Sequence, residues 1–114
     1  MSNETPIIPS GTFTTRPEHM TPTEFGIIFG IVRRAISKGY TVSVNDDAAG
    51  HGEWVVKRSR NSAEIFEALA STGGDLLKLR DANGDSLGFI SLIYGNGEDV
   101  VSDCTDSRAI LELM

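Results

Sequence analysis

The segment over residues 46–53 carries the densest set of groups in the chain that could do chemistry. Two adjacent carboxylates, Asp46 and Asp47, are followed by His51 between two glycines and then by Glu53. Carboxylates and an imidazole can bind a divalent metal ion or move a proton. His51-x-Glu53 matches one half of a zinc deaminase motif, but the chain lacks the Pro-Cys-x-x-Cys half. A metal-dependent enzyme or metal-binding protein centred on this loop is one alternative, and a polar connection between strands is the other.

A second candidate, Asp81–Ser86, begins like a calcium-binding loop, with oxygen ligands at alternate positions. Its sixth position is Ser86, where the calcium loop needs glycine, and its twelfth is Leu92, where a bidentate glutamate is needed. The dipeptide Asn83-Gly84 between two apolar runs is instead a strong hairpin signal. The pattern therefore predicts a turn and no metal site.

Covalent and cofactor chemistry finds little support in the sequence. Cys104 lies between Asp103 and Asp106, whereas an activated cysteine needs basic neighbours. The chain contains no Gly-x-Ser-x-Gly elbow, phosphate-binding loop or dinucleotide fingerprint. We therefore expect no catalytic residue, no metal and no cofactor, and we expect that the protein is not an enzyme.

Charge is unevenly distributed along the 114 residues, whose formal net charge is −6. Residues 1–80 carry nine basic and nine acidic side chains, whereas residues 81–114 carry seven acidic side chains against Arg108 alone. Such asymmetry is typical of an interaction surface, although acids also collect in solvated turns. We expect the acidic turns to bind a basic surface of a protein partner. The candidate contacts are Asp81, Asp85, Glu98, Asp99, Asp103 and Asp106.

The side of the predicted sheet that faces away from the helices is a second candidate surface. Strict alternation directs Trp54 and Val56 towards the helices, and Arg58 follows close by. The outward residues then form a partly basic, partly apolar face that could meet phosphates, an acidic protein or a second copy of the chain. They are Val55, Lys57, Leu76, Lys78 and Arg80. Because the net charge is negative and no exposed aromatic pair is expected, the pattern argues against nucleic acid as a ligand.

The candidate residues of the loop, the acidic turns and the sheet face must be positioned by a structural unit that occurs twice. Each unit consists of a helix with a capped N-terminus, a glycine at which the helix ends, and two short strands. The first helix has an N-cap at Thr21, a capping-box partner at Glu24 and a stop at Gly39. The second is expected over residues 61–71, with a left-handed C-cap at Gly73-Gly74.

Five strands and a short C-terminal helix complete the expected fold. The strands fall near residues 40–44, 53–58, 75–81, 86–94 and 99–102, and the last helix near 106–113. The order α-ββ-α-ββ-β-α predicts an α+β fold, an antiparallel sheet of four to five strands with two main helices on one face. Residues 19–114 would form a single domain, and residues 1–18, rich in Thr, Pro and Ser, an irregular N-terminal arm.

Composition and one sequence resemblance indicate where the protein is expected to act. A single cysteine favours a reducing compartment, and the chain begins without a signal-peptide pattern, so we expect a cytoplasmic protein without a membrane span. Residues 93–103, Ile-Tyr-Gly-Asn-Gly-Glu-Asp-Val-Val-Ser-Asp, resemble the C-terminal part of small phage and prophage proteins. The resemblance implies an accessory protein that inhibits a host factor. A homodimer that uses the open sheet face, with Val55 and Leu76 at the contact, is an alternative.

Overall fold

A computed structural model describes residues 20–114 as an α+β fold, with helices and a five-stranded sheet in the expected order. The elements are α1 (Pro22–Ser37), β1 (Thr41–Asn45), β2 (Trp54–Ser59), α2 (Ser62–Ala68), β3 (Gly74–Arg80), β4 (Ser86–Ile93), a 3₁₀ turn (Gly97–Asp99), β5 (Val101–Cys104) and α3 (Arg108–Leu111). The N-terminal arm expected over residues 1–18 lies outside the described residues.

Helix α1 begins as its sequence predicts. The Thr21 side chain accepts a hydrogen bond from the Glu24 N–H, and the Glu24 side chain accepts one from the Thr21 N–H, which completes the capping box. The helix ends at Ser37, and Gly39 adopts a positive φ of 82° just beyond it. One face of the helix is fully buried against the sheet through Ile28 and Val32.

Helix α2 is shorter than the pattern predicts, because it ends at Ala68 and not at residue 71. The left-handed residue after it is Ala70, with φ 60°, and neither Gly73 nor Gly74 has a positive φ. The cause is the buried carboxylate of Asp75, whose Oδ2 accepts a hydrogen bond from the Ala70 N–H at 2.8 Å. This tertiary contact outweighs the local preference for glycine at the helix end.

The sheet is antiparallel throughout, with strand order β2-β1-β3-β4-β5. Alternate residues of the three interior strands form the layer beneath the helices, and Val44, Leu77 and Ile90 pair across it. The strand after Asn83-Gly84, β4, lies in the interior of the sheet, between β3 and β5. The fifth strand and the last helix begin two residues later than predicted, because residues 97–99 form a 3₁₀ turn and Ser107 caps α3.

The residues of β2 do not alternate strictly between the two faces of the sheet, although the prediction of the outward residues assumed that they do. Asn45 pairs with Trp54 and Val44 with Val56, so Val55 is an extra residue. Ser43 on β1 likewise faces two residues of β2, since the flanking pairs are Val44 with Val56 and Val42 with Ser59. Each β-bulge reverses the facing of the residues beyond it. The predicted inward direction of Trp54 is therefore wrong, and this side chain lies on the open face.

Among residues 20–114, no helix is long and apolar enough to cross a membrane.

Candidate binding surface on the open face of the sheet

The open face carries a groove of about 330 Å³ across β2, β1 and β3, which we call the basic groove. Ser43 of β1 lines this groove and is 7% exposed. Its other lining residues are one aromatic and four cationic side chains: Trp54, Lys57, Arg58, Lys78 and Arg80. The groove therefore combines an apolar ring with four positive charges and no carboxylate.

The four cations of the basic groove have no acidic partner among the described residues. Within residues 20–114 the ion pairs are Lys38–Glu112 and Arg108–Glu112, and neither involves the groove. Arg80 donates from Nη1 to the Gly84 carbonyl oxygen at 3.1 Å, which fixes one guanidinium beside the β3–β4 turn. Positive charges held close together without counter-charges repel each other, so an anion in the groove would relieve that repulsion.

Arg58 lies in the groove with a backbone conformation that side chains rarely adopt. Its φ is 51°, in the left-handed region. The Arg58 N–H donates to the Ser43 Oγ at 2.9 Å, and this bond holds the bulge in place. A non-glycine residue in this region costs on the order of 1 kcal/mol or more. Such strain is often found at functional sites, and here it directs a guanidinium onto the open face.

Trp54 is the one tryptophan of the chain, and 40% of its surface is exposed. The ring contacts among the described residues join Phe25, Phe29 and Phe66, and the cation–ring contact is Arg33 over Phe29. The indole of Trp54 therefore has no aromatic or cationic partner within residues 20–114. It is available to stack on a ligand.

The other predicted residues of the sheet face are less accessible or lie elsewhere. Leu76 lines a second groove of about 270 Å³ with Ala48, Ala49, Phe89, Ser91 and Asp103. The loop between β1 and β2 covers this part of the sheet, because Ser91 Oγ donates to the Ala48 carbonyl oxygen at 2.9 Å. Val55, the extra residue of its bulge, is 46% exposed but does not line the basic groove. The structure thus brings together Lys57, Lys78 and Arg80 from the predicted set.

The acidic loop over residues 46–53 uses its carboxylates to hold its own backbone. Asp46 Oδ1 accepts from the Glu53 N–H at 2.8 Å, and Asp47 Oδ2 accepts from the His51 N–H at 3.0 Å. A Cβ atom at Gly52 would lie 1.9 Å from Asp46 Oδ1, so the loop requires glycine there. No group of three His, Cys, Asp or Glu side chains within residues 20–114 is arranged to hold a metal ion. The loop is explained as a self-capped connection that covers part of the sheet.

The six acidic candidates do not form one cluster. Asp81 and Asp85 lie in the turn before β4, whereas Glu98 and Asp99 lie in the 3₁₀ turn after it, so the length of an eight-residue strand separates the pairs. Asp103 of β5 pairs with Ser91 of β4, and Asp106 follows β5. Asp81 Oδ1 accepts from the Asn83 and Asp85 N–H groups, each at 2.9 Å, which closes its own turn.

The loop of residues 95–97 is held by the buried carboxylate of Glu24. Three consecutive N–H groups, those of Gly95, Asn96 and Gly97, donate to Glu24 Oε2 at 2.7, 2.9 and 3.0 Å. Burial alone would raise the pKa of Glu24, but the hydrogen bonds from these groups and from Thr21 hold it below its usual value. The same residue therefore caps α1 and fixes the turn that presents Glu98 and Asp99.

A second buried carboxylate, Asp75, is less completely satisfied. Its Oδ2 accepts from the Tyr94 hydroxyl and the Ala70 N–H, whereas its Oδ1 has no hydrogen-bond partner among the described residues. Burial raises the pKa of Asp75 above its ordinary value despite these two bonds, with a smaller contribution from Asp46. Burial and the Asp75 carboxylate also raise the pKa of Tyr94. Both groups are structural parts of the covered face of the sheet.

The sequence pattern did not place Trp54 on the open face, and it placed Arg58 only near that face. The segment Trp54–Ser59 reads apolar, apolar, apolar, cationic, cationic, polar, which does not alternate. A strand that departs from a period of two indicates bulges. That departure is the signal that would have placed the tryptophan on the open face.

The fold and the groove define a class: an α+β protein whose antiparallel sheet has one face covered by helices and an open face that carries a basic, aromatic groove. The chain matches no family model, curated protein or solved structure with which it was compared.

Proposed function

We propose that this protein acts by binding and not by catalysis, and that the basic groove is its principal contact surface for an anionic partner. The observation that carries the proposal is the set of four cations around an exposed tryptophan, with no acidic partner within residues 20–114. The left-handed backbone of Arg58 supports it, because one of these cations is presented from a conformation that costs energy and is held by the hydrogen bond to Ser43.

Retention on an immobilised polyanion tests this proposal. A chain with a net charge of −6 should not be retained on heparin at neutral pH and physiological salt unless it carries a local basic site. We expect retention of the wild type and its loss in the double variant Lys57→Ala/Lys78→Ala. Lys38→Ala is the matched control, because Lys38 pairs with Glu112 outside the groove. A wild type that flows through would overturn the proposal.

A second candidate function uses the acidic turns against a basic protein partner, as an accessory protein of phage origin that inhibits a host factor in the cytoplasm. The observation in its favour is that the loop carrying the exposed Glu98 and Asp99 is fixed by three N–H bonds to Glu24. A fixed turn loses less entropy on binding than a flexible one.

The double variant Glu98→Lys/Asp99→Lys separates this candidate from the first. We expect it to weaken co-purification of a basic partner from the native host while melting at the wild-type temperature. Unchanged co-purification would remove this candidate and leave the basic groove unaffected.

A homodimer through the sheet face stays a prediction. One of its two contact residues, Leu76, lies beneath the β1–β2 loop, because a Cβ atom at Gly50 would lie 3.0 Å from the Leu76 side chain.

A further inference from the structure

We propose, as a deepening of the proposed function and resting on it, that the basic groove binds single-stranded nucleic acid. In this arrangement Trp54 stacks on a base, and Lys57, Arg58, Lys78 and Arg80 contact the phosphates. The placement of Trp54 weakens one premise of the sequence argument against such a ligand, since that argument expected no exposed aromatic pair and the structure puts one aromatic ring on this surface. The other premise is the negative net charge.

The combination of groups fits a nucleotide chain better than it fits an acidic peptide. Proteins that bind single strands pair a positively charged groove, which follows the backbone, with aromatic side chains on which bases stack. The basic groove has both, and the indole of Trp54 has no ring or cation partner within residues 20–114. An acidic peptide would satisfy the cations but would leave that ring without a stacking partner.

The geometry of the sheet gives the ligand a flat surface. Ser43, Lys78 and Phe89 pair across three adjacent strands, which lie about 4.8 Å apart. Phe89 pairs with Lys78 but lines the second groove and not the basic groove, so Trp54 is the aromatic side chain that the basic groove offers. A volume of about 330 Å³ lies within the usual range for pockets that bind small ligands, so the groove holds one nucleotide unit, with neighbouring units along the face.

The net charge of −6 opposes this binding, but no carboxylate lines the basic groove. Glu53, which precedes Trp54, and Asp81, which follows Arg80, lie outside its lining. Asp103 lies on β5, two strands from β3, which is about 10 Å away. At physiological salt the screening length is about 8 Å, so such charges weaken the binding without abolishing it.

The test is a titration of the full-length protein with a fluorescently labelled oligodeoxythymidylate of about eight nucleotides, followed by anisotropy. The same titration uses a duplex of equal length and a labelled polyglutamate peptide. We expect the single strand to bind more tightly than either. We expect Trp54→Ala to weaken its binding by about five-fold or more and Trp54→Phe to retain most of the affinity, because any aromatic ring can stack. Intrinsic fluorescence should be quenched on binding, since Trp54 is the one tryptophan.

The outcomes separate this inference from the proposed function. If polyglutamate binds as tightly as the single strand, or if Trp54→Ala has no effect, the nucleic-acid inference is overturned, and the proposal that the basic groove binds an anionic partner stands. If the duplex binds equally well, phosphate contacts alone are responsible and the stacking inference falls. If no polyanion binds, both fall. Self-association of the ligand-free protein in sedimentation, lost in the Trp54→Ala variant, would assign the face to a second copy instead.

Discussion

The charged side chains on the two faces of the sheet differ in whether the protein itself provides their partners. Beneath the helices, the buried carboxylate of Glu24 accepts four backbone hydrogen bonds, and this face is covered by one continuous core. On the open face, Lys57, Lys78 and two arginines surround a groove with no acidic side chain near enough to pair with them among the described residues. Charge on the covered face stabilises the fold, whereas charge on the open face remains available to a ligand. Changes on the two faces should therefore have separable effects.

Removal of the Glu24 carboxylate should produce the largest effect. Glu24→Ala leaves four backbone N–H groups without their acceptor, and hydrogen bonds to a charged group are worth about 1.5–3 kcal/mol each. We expect a loss of about 3 kcal/mol or more in the free energy of unfolding, measured by urea denaturation.

Glu67→Ala is the matched control for this change. Glu67 is exposed on α2, and its loss should cost within about 0.5 kcal/mol. If Glu24→Ala does not fold, Glu24→Gln retains one acceptor oxygen and should be intermediate in stability. Equal stabilities of Glu24→Ala and Glu67→Ala would show that the 95–97 loop does not depend on Glu24.

Charge reversal in the basic groove should change binding and leave the fold intact. We expect Lys57→Glu/Lys78→Glu to lower the affinity for a polyanion by more than about ten-fold, or roughly 1.4 kcal/mol. The free energy of unfolding should change by no more than about 0.5 kcal/mol, because Lys57 is exposed and neither side chain has an ion-pair partner within the described range. A loss of stability as large as that of Glu24→Ala would contradict the separation of the faces.

Arg58→Gly should raise stability and weaken binding at the same time. Glycine relieves the strain of a φ of 51°, which we expect to add up to about 1 kcal/mol to the free energy of unfolding. The loss of the guanidinium removes one of four cations from the groove.

Ala70→Gly provides the comparison for Arg58→Gly, because Ala70 has a similar φ of 60° on the covered side. Ala70→Gly also removes a buried methyl group, which offsets the relief of strain, so we expect a smaller change in stability than for Arg58→Gly and no change in affinity. If Arg58→Gly binds as tightly as the wild type, Arg58 is not part of the site.

Asp75→Asn should produce the smallest effect, and that effect should depend on pH. The folded pKa of Asp75 is raised above its ordinary 3.8, so its contribution to stability is full below that pH and is lost as pH rises through the folded pKa. Glu24, with a lowered pKa, contributes in the opposite sense, with stability that is lost as pH falls through its folded value. We expect Asp75→Asn to flatten the decline in the free energy of unfolding between about pH 4 and neutral pH. Superimposable profiles of wild type and variant would contradict the structural assignment.

Much of the covered face could be predicted from the sequence, because local chemistry determines it. The capping box of Thr21 and Glu24 and the turn at Asn83-Gly84 depend on residues only a few positions apart. The end of α2 could not be predicted, because it depends on a hydrogen bond from Ala70 to Asp75. The role of Glu24 in the 95–97 loop likewise joins residues more than seventy positions apart.

The basic groove could be predicted only in part. Lys57, Lys78 and Arg80 were placed on the open face by alternation, and the structure groups them. Trp54 and Arg58 were missed as groove residues because two bulges in β2 change the facing of the strand, and a bulge is stabilised by contacts such as that between Arg58 and Ser43. The acidic turns were each visible in the sequence, but only the fold places them at opposite ends of β4.

The salt dependence of oligonucleotide affinity tests the central claim most directly. If four cations of the open face contact phosphates of a single strand, log K should fall with log salt concentration at a slope of about −3. The Lys57→Ala/Lys78→Ala variant should reduce that slope to about half, and Lys38→Ala should leave it unchanged. A wild-type slope near zero, or a slope that the double variant does not alter, would contradict the assignment of the basic groove as the binding surface.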